Sequence, residues 1–473
     1  MRNSPAKILF LIAVCSIFMM LTGCISTFEN GHSHHGGTQL LSVVAISRHG
    51  IRSPTIPQTA VNMFTLQPEG FPLWPYPADT FGNLSTVGQQ NAALLGAWYR
   101  DFYAAQGVLP AKGSCPAAGT FYIYADTFER TFMTAQGYLS GLFQTEALPD
   151  CGFHVVQFSP LVTVYDPYIQ TLRAGIPNCA INTTQDQTAF YARIGGVNNI
   201  PALINTYTSQ LQTLQTVTQC CQPSACTPAK NPCTLLDLPT TVNTIGAVMF
   251  APGSLFDTAD SVSEDLELQY AQGMPLTGCS TTLGAPCVGW GAIPPGELQD
   301  LTKLHVLNLA DLTSQLPSFA KVGSTNLMWQ TVGAMDQTLS GVAGPNILVP
   351  VGSKFTLFVA HDENISAIAG FLGGVSWKAE GFAANDPGPA GALVFELRKE
   401  NESGDLIVRL YYVTASLDQM RNNTILTLRN PPQRIPLAIP ACGGKFDCPY
   451  SQFKSFITAN VAQECIYTPP SQH

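Results

Sequence analysis

Three short segments of this 473-residue chain gather side chains that could share one reaction. Arg48-His49-Gly50-Ile51-Arg52-Ser53-Pro54 sets two guanidiniums around an imidazole. Asp126-Thr127-Phe128-Glu129-Arg130-Thr131 adds a third guanidinium, and His361-Asp362-Glu363-Asn364 adds a second imidazole beside carboxylates. The residue types suit phosphoryl transfer. A phosphate dianion needs several fixed donors, and the planar fork of arginine bonds two of its oxygens at once. Arg48, Arg52 and Arg130 can supply three such forks. A neutral imidazole can attack phosphorus and carry it covalently, and a carboxylic acid can protonate the departing alkoxide. Taken singly, each residue also has an ordinary reading. His49 is a histidine at a strand end, Arg130 a solvated residue of a first helical turn, and Asp362 a helix N-cap. Glu363 reads as an exposed carboxylate, with auxiliary acid as its other role.

Each segment follows an apolar run. Leu40–Ser47 is continuous, β-branched and strand-like, and it leads into Arg48. Thr120–Ala125 leads into Asp126, and Lys354–Ala360 leads into His361; Phe153–Phe158 is a further strand candidate. Ala392–Leu397 and Leu406–Val413 flank a Glu402-to-Asp405 turn and predict a hairpin. Helical periodicity covers Thr86–Tyr103 and Arg130–Phe143, the second capped by Asp126 or Thr127. Strands alternating with helices predict an α/β domain, in which sites form beyond the C-terminal ends of strands. Between about Thr163 and Gly344 strands are scarce, while Tyr207–Gln219 and Ser261–Gln272 look helical. The expected organisation is an α/β domain over 40–162 and 345–473, with a mostly helical cap lobe inserted at 163–344.

RHGIRSP resembles the RHGxRxP signature of the histidine acid phosphatases, the branch that includes bacterial phytases and glucose-1-phosphatases. HDEN resembles the later HD motif of that family, and Glu129-Arg130-Thr131 matches a tripeptide that opens a helix after a strand. The resemblance covers about residues 40–155 and 354–400. It implies a central mixed sheet flanked by helices, the phosphoglycerate mutase-like histidine phosphatase fold. It also implies His49 as nucleophile, Asp362 as proton donor, and Arg48, Arg52, Arg130 and His361 as the phosphate-holding residues. No metal or other cofactor is implied. Phytases of the family often carry a basic residue shortly after the first motif. Here the stretch is Thr55-Ile56-Pro57-Gln58, uncharged, which favours a sugar monophosphate or a range of monoesters over inositol polyphosphates, although Lys303 could supply a cation. Arginines around His49 keep it neutral in mild acid and lower the pKa of Asp362 as well, so activity is expected to peak at acidic pH.

The remaining sequence sets the compartment. Arg2 and Lys7 precede an apolar stretch, Ile8–Leu21, and Leu21-Thr22-Gly23-Cys24 closes it like a lipobox. The stretch is short for a membrane span. The expectation is a signal over 1–23, lipidation at Cys24 and a tether over 24–39 in which His32, His34 and His35 are solvated. An ordinary cleaved signal is the alternative. The chain would then be exported to the periplasm or cell surface, meeting membrane only through the lipid. Losing Arg2 and Lys7 takes net charge from −9 to −11. Such an acidic protein is a poor nonspecific binder of nucleic acid, so the expected partner is a small phosphorylated substrate. Charged residues are only 11% of the chain. Setting Cys15 and Cys24 aside leaves an even number of the 14 cysteines, as a disulfide framework requires. Cys279/Cys287 and Cys442/Cys448 are spaced to close small loops, and the order of elements suggests Cys115–Cys151 and Cys179–Cys465. Cys220, Cys221, Cys226 and Cys233 lack both a nearby His and paired CxxC spacing, against a zinc knuckle. Phe71–Tyr76 either lines the pocket entrance or packs in the core. Two further functions stay open: an inositol polyphosphate phosphatase, and a surface lipoprotein that binds phosphoesters without turnover.

Overall fold

The computed structural model describes residues 37–57, 59, 74, 80–143, 151–158, 165–218, 235–242, 250, 252–274, 293 and 296–469. The signal, Cys24, the histidine tether and the Cys220–Cys233 and Cys279/Cys287 groups lie outside that set. So does all of Phe71–Tyr76 but Trp74, which is buried in the main core.

The strands of the mixed sheet are β1 (Thr38–Arg48), β2 (Phe121–Ala125), β3 (Val156–Gln157), β4 (Phe355–Ala360), β5 (Ala392–Glu400), β6 (Leu406–Thr414), β7 (Gln433–Leu437) and β8 (Cys448–Pro449). Their order is β3-β2-β4-β1-β5-β6-β7, with β8 also on β6. The β3, β2, β4 and β1 neighbours run parallel; β5 turns antiparallel against β1, and the predicted hairpin follows as β5 and β6. Every residue of β4 is buried, as a strand covered on both faces must be. The Phe153–Phe158 candidate narrows to the two residues of β3.

Two helices pack together on this sheet, α1 (Thr86–Ala104) and α2 (Glu129–Phe143). The Ser85 hydroxyl caps α1 by accepting from the Gly88 amide at 2.7 Å. Glycine lets the two backbones approach closely. A Cβ on Gly141 would lie 1.8 Å from the Ala93 carbonyl oxygen, and one on Gly96 would lie 2.4 Å from that of Tyr138. Predominantly helical chain follows: α3 (Thr183–Ile194), α4 (Ile200–Thr206), α5 (Thr208–Thr218), α6 (Leu255–Ala271), α7 (Leu298–Leu301), α8 (Lys303–Val306), a π-helical stretch over Leu307–Ser314, and α9 (Pro317–Ser340). Among these, α5, α6, α7 and α8 share a small apolar core of their own, whereas α9 sends Leu327, Met328 and Met335 into the main core. The sequence placed the start of α6 six residues late, because acidic residues interrupt its apolar pattern. After β4 come α10 (Asp362–Phe371), α11 (Leu417–Arg421) and α12 (Tyr450–Asn460).

Three disulfides join described residues: Cys115–Cys151, Cys179–Cys465 and Cys442–Cys448. All three agree with the sequence reading. Among the described residues no helix is long and apolar enough to cross a membrane.

Candidate active site

Register brings the three charged segments together. Arg48 lies opposite Ala360, and Ala125 lies opposite Val359, so β1, β4 and β2 end level with one another on one edge of the sheet. The His49 amide donates to the Ala360 carbonyl (3.0 Å) and the Asp126 amide to that of Val359 (3.1 Å), which extends the parallel pairing just past the strand ends. The backbone ladder therefore fixes where each motif begins.

His49 is 2% exposed. Its Nδ1 lies 2.9 Å from the Gly50 carbonyl oxygen, which can only accept, so Nδ1 carries the proton and Nε2 keeps its lone pair. Burial, then the charges of Arg130, Arg48 and Arg52, hold the imidazole well below its ordinary pKa. His49 is neutral in mild acid, the state a nucleophile needs. The ring of His361 stands 5.5 Å away, centroid to centroid. His361 Nε2 donates to Asp126 Oδ2 at 2.6 Å, and Gln170 Nε2 donates to the same oxygen at 3.0 Å. Burial would raise the Asp126 carboxyl, but these hydrogen bonds and the His361 charge bring it below its usual value.

The arginines are held from several sides. Arg48 is completely buried; its Nη1 donates to the Pro387 carbonyl (2.9 Å), and its Nη2 meets Asp362 Oδ2 at 3.0 Å and Glu264 Oε1. Arg52 Nη2 contacts both oxygens of Glu264 at 2.8 Å. The Arg130 guanidinium stacks on Phe128, 4.5 Å from the ring centroid, and the Phe128 ring meets His361 edge-on at 5.5 Å. Burial and the repulsion of Arg52 lower Arg130 to about 10, so it stays charged below neutrality.

Asp362 is the first residue of α10, and the N-cap position falls to His361, whose amide donates to Asn364 Oδ1 (3.1 Å). Asp362 instead faces Arg48. Burial alone would raise its pKa, but the charges of Arg48, His305 and Arg52 outweigh burial and hold it far below the usual carboxylate range. Glu363 is not free in solvent as the sequence suggested. Its two oxygens pair with Arg173, whose Nη1 also donates to Gln170 Oε1 at 2.6 Å. Lys303 pairs with its neighbour Asp300.

Sequence reasoning missed Glu264. It lies on α6 among Asp257, Asp260, Asp265 and Glu267, a spacing that reads as a solvated acidic face. Only the fold shows that Glu264 and Glu267 are buried and that Glu264 reaches two arginines 212 and 216 residues away. His305 belongs to no motif, yet a ring nitrogen of it lies within 4.8 Å of carboxylate oxygens of both Glu264 and Asp362. Asp126 had one signal, its place immediately after a strand.

The arrangement presents a neutral imidazole lone pair, three guanidiniums and a carboxyl group on one strand edge, a set able to bind a phosphate ester and exchange its phosphoryl group. Comparison agrees. The description "Histidine phosphatase superfamily (branch 2)" matches residues 39–228. The phytase AppA of Escherichia coli (strain K12) is 29% identical over 414 residues, covering 85% of this chain and 87% of that protein. The chain is similar to the histidine acid phosphatases. The glucose-1-phosphatase of Salmonella typhimurium is 25% identical, covering 88% of this chain and 91% of that one. Among solved structures, the phytase of Citrobacter braakii superposes with a TM-score of 0.77 at 27% identity, covering 92% of this chain and all of that one. The chain thus has the expected histidine phosphatase fold.

Proposed function

We propose that the chain hydrolyses phosphate monoesters in acid through a phosphohistidine on His49. The observation that carries the reading is the Nδ1–Gly50 hydrogen bond, which leaves Nε2 unprotonated among three arginines. Arg48, Arg52 and Arg130 grip the phosphate oxygens, and His361, anchored through Nε2, offers Nδ1 as its remaining ring nitrogen. His49 Nε2 attacks phosphorus as the P–O bond to the alcohol breaks. Asp362 gives the departing oxygen its proton. Water then attacks the phosphohistidine, Asp362 takes up a proton, and phosphate leaves. Positioning and charge stabilisation supply most of the acceleration in such a transfer.

The substrate reading is a sugar monophosphate or a range of simple monoesters. Thr55-Ile56-Pro57 brings no charge to the entrance, and Glu363 neutralises Arg173. Phytate hydrolysis is the second reading, favoured by the relatives named phytase. Export is supported by the three disulfides, which persist in oxidising compartments, and lipidation at Cys24 by the Leu21-Thr22-Gly23-Cys24 sequence. The deciding experiment is phosphate release from p-nitrophenyl phosphate, glucose 1-phosphate and phytate by purified protein in mildly acidic buffer. No release from any of the three would leave only phosphoester binding.

A further inference from the structure

His305 is buried, 3% exposed, and reaches the site from α8, well away in sequence from all three motifs. Its Nδ1 is bound to Asp260 Oδ1 at 2.6 Å, and Asn308 Nδ2 donates to the other oxygen of the same carboxylate at 2.6 Å. The ring is thereby fixed in orientation. Its Nε2 is buried and has no hydrogen-bond partner among the described residues. A buried ring nitrogen without a partner is costly. Here it belongs to a ring that lies within 4.8 Å of both Glu264 and Asp362.

We infer that His305 is a positioning residue: clamped by Asp260, its ring is the fixed cation against which Glu264 and Asp362 are held for the reaction. The inference rests on the assignment of Asp362 as proton donor. Two carboxylates beside an arriving phosphate dianion repel one another and the substrate, and a nearby imidazolium relieves that repulsion. The surrounding charges favour the cation. Asp260, Glu264, Asp265 and Glu267 come from α6, Asp362 from α10 and Asp386 from the loop before β5; Arg48 and Arg52 oppose them from the end of β1. Burial raises both Glu267 and Asp386, and the Asp386 charge raises Glu267 further. Burial works against a charged His305, yet Asp260 and Glu264 raise it to about 10. Ligand atoms of Glu264, His305 and Asp362 lie within 4.8 Å of one another, close enough for a divalent metal. Glu264 already bonds Arg48 and Arg52, and Asp362 bonds Arg48, so a metal there would face two guanidiniums. The imidazolium is the better-placed cation.

The consequence is a pH effect of definite sign. A cation next to Asp362 favours its carboxylate. Removing it strengthens proton binding, so Asp362 remains a competent acid to higher pH. The test is the pH dependence of kcat with p-nitrophenyl phosphate and a sugar phosphate for wild type, His305→Gln and Asp260→Asn, each checked for a native circular dichroism spectrum. The alkaline limb should move up by about one pH unit in His305→Gln. It should move the same way in Asp260→Asn, because His305 without the Asp260 carboxylate loses proton affinity. A folded variant with lower kcat and an unmoved alkaline limb would show a packing role and overturn the inference, as would a profile that changes when wild type is treated with EDTA and recovers with zinc. Failure of the parent reading would look different: wild type itself would show no acid-limited turnover.

Discussion

Glu264→Gln gives the sharpest test of how the arginines are held. Glu264 occupies donors of Arg48 and Arg52 that a phosphate would also use in the proposed mechanism, and the contacts are direct, 2.8 Å from Arg52 Nη2 to each carboxylate oxygen. An ion pair with charges about 4 Å apart is worth about 4 kcal/mol at an effective dielectric near 20. The Gln amide keeps a hydrogen bond worth about 1 kcal/mol. Part of the lost attraction only frees guanidiniums that nothing else satisfies, so roughly 1.5–3 kcal/mol should reappear in favour of a bound phosphate, about 10- to 150-fold in affinity. The substitution conserves shape and adds no cavity. Inhibition by inorganic phosphate should therefore tighten by that factor, in competition with p-nitrophenyl phosphate and in calorimetric titration, and kcat should fall as product release slows. An unchanged or weaker phosphate affinity in the folded variant would refute the claim that Glu264 competes with phosphate for these arginines.

His49→Ala should remove nearly all turnover while keeping phosphate binding, since three guanidiniums remain; near-normal release of p-nitrophenol would end the nucleophile assignment. Asp362→Asn should slow sugar phosphates by roughly 10²–10⁴-fold, the usual worth of general acid catalysis, and p-nitrophenyl phosphate much less, because that leaving group needs little protonation; equal losses would make Asp362 structural. Wild-type kcat should fall as pH rises: His49 is already neutral in mild acid because its pKa is depressed, whereas Asp362, also depressed, loses its proton as pH increases. A maximum above neutrality contradicts that order. Gly141→Ala should lower thermal stability sharply, by about 3 kcal/mol or more, since its Cβ would meet the Ala93 carbonyl oxygen at 1.8 Å and backbone cannot rotate away; an unchanged melting temperature would mean that α1 and α2 part easily.

Much of this was legible because the chemistry lies next to strongly patterned strands. Val43 to Ile46 and Phe355 to Ala360 are unbroken apolar runs, and an apolar run that ends in Arg48 or His361 marks both the strand and the side chains at its tip. Parallel pairing then makes the tips level, and that level edge is the site. What escaped was whatever approaches from across the sequence. Asp260 and Glu264 are one helical turn apart, and on a solvated helix that spacing means an exposed acidic stripe. Their burial depends on Arg48, Arg52 and His305 arriving from elsewhere, which no local pattern encodes. Glu363 was misjudged for the same reason, because its partner Arg173 is 190 residues away.

In the proposed mechanism the arginines place opposite demands on His49 and Asp362, the groups assigned to move phosphorus and a proton. By charge they keep His49 neutral, which the attack requires, and by charge they keep Asp362 ionised, which the departure of the alcohol forbids. The conflict holds only while the guanidiniums are unneutralised. A phosphate dianion bound at Arg48, Arg52 and Arg130 cancels much of the field at Asp362 and adds negative charge beside it. Both effects raise the proton affinity of Asp362. At His49 the attack turns the lone pair into a P–N bond, so the unprotonated state that burial and the arginines set is the one consumed. On this mechanism the acid is armed by the substrate it serves, and the ester would open a closed set of ion pairs, Arg48 with Asp362 and Glu264, Arg52 with Glu264.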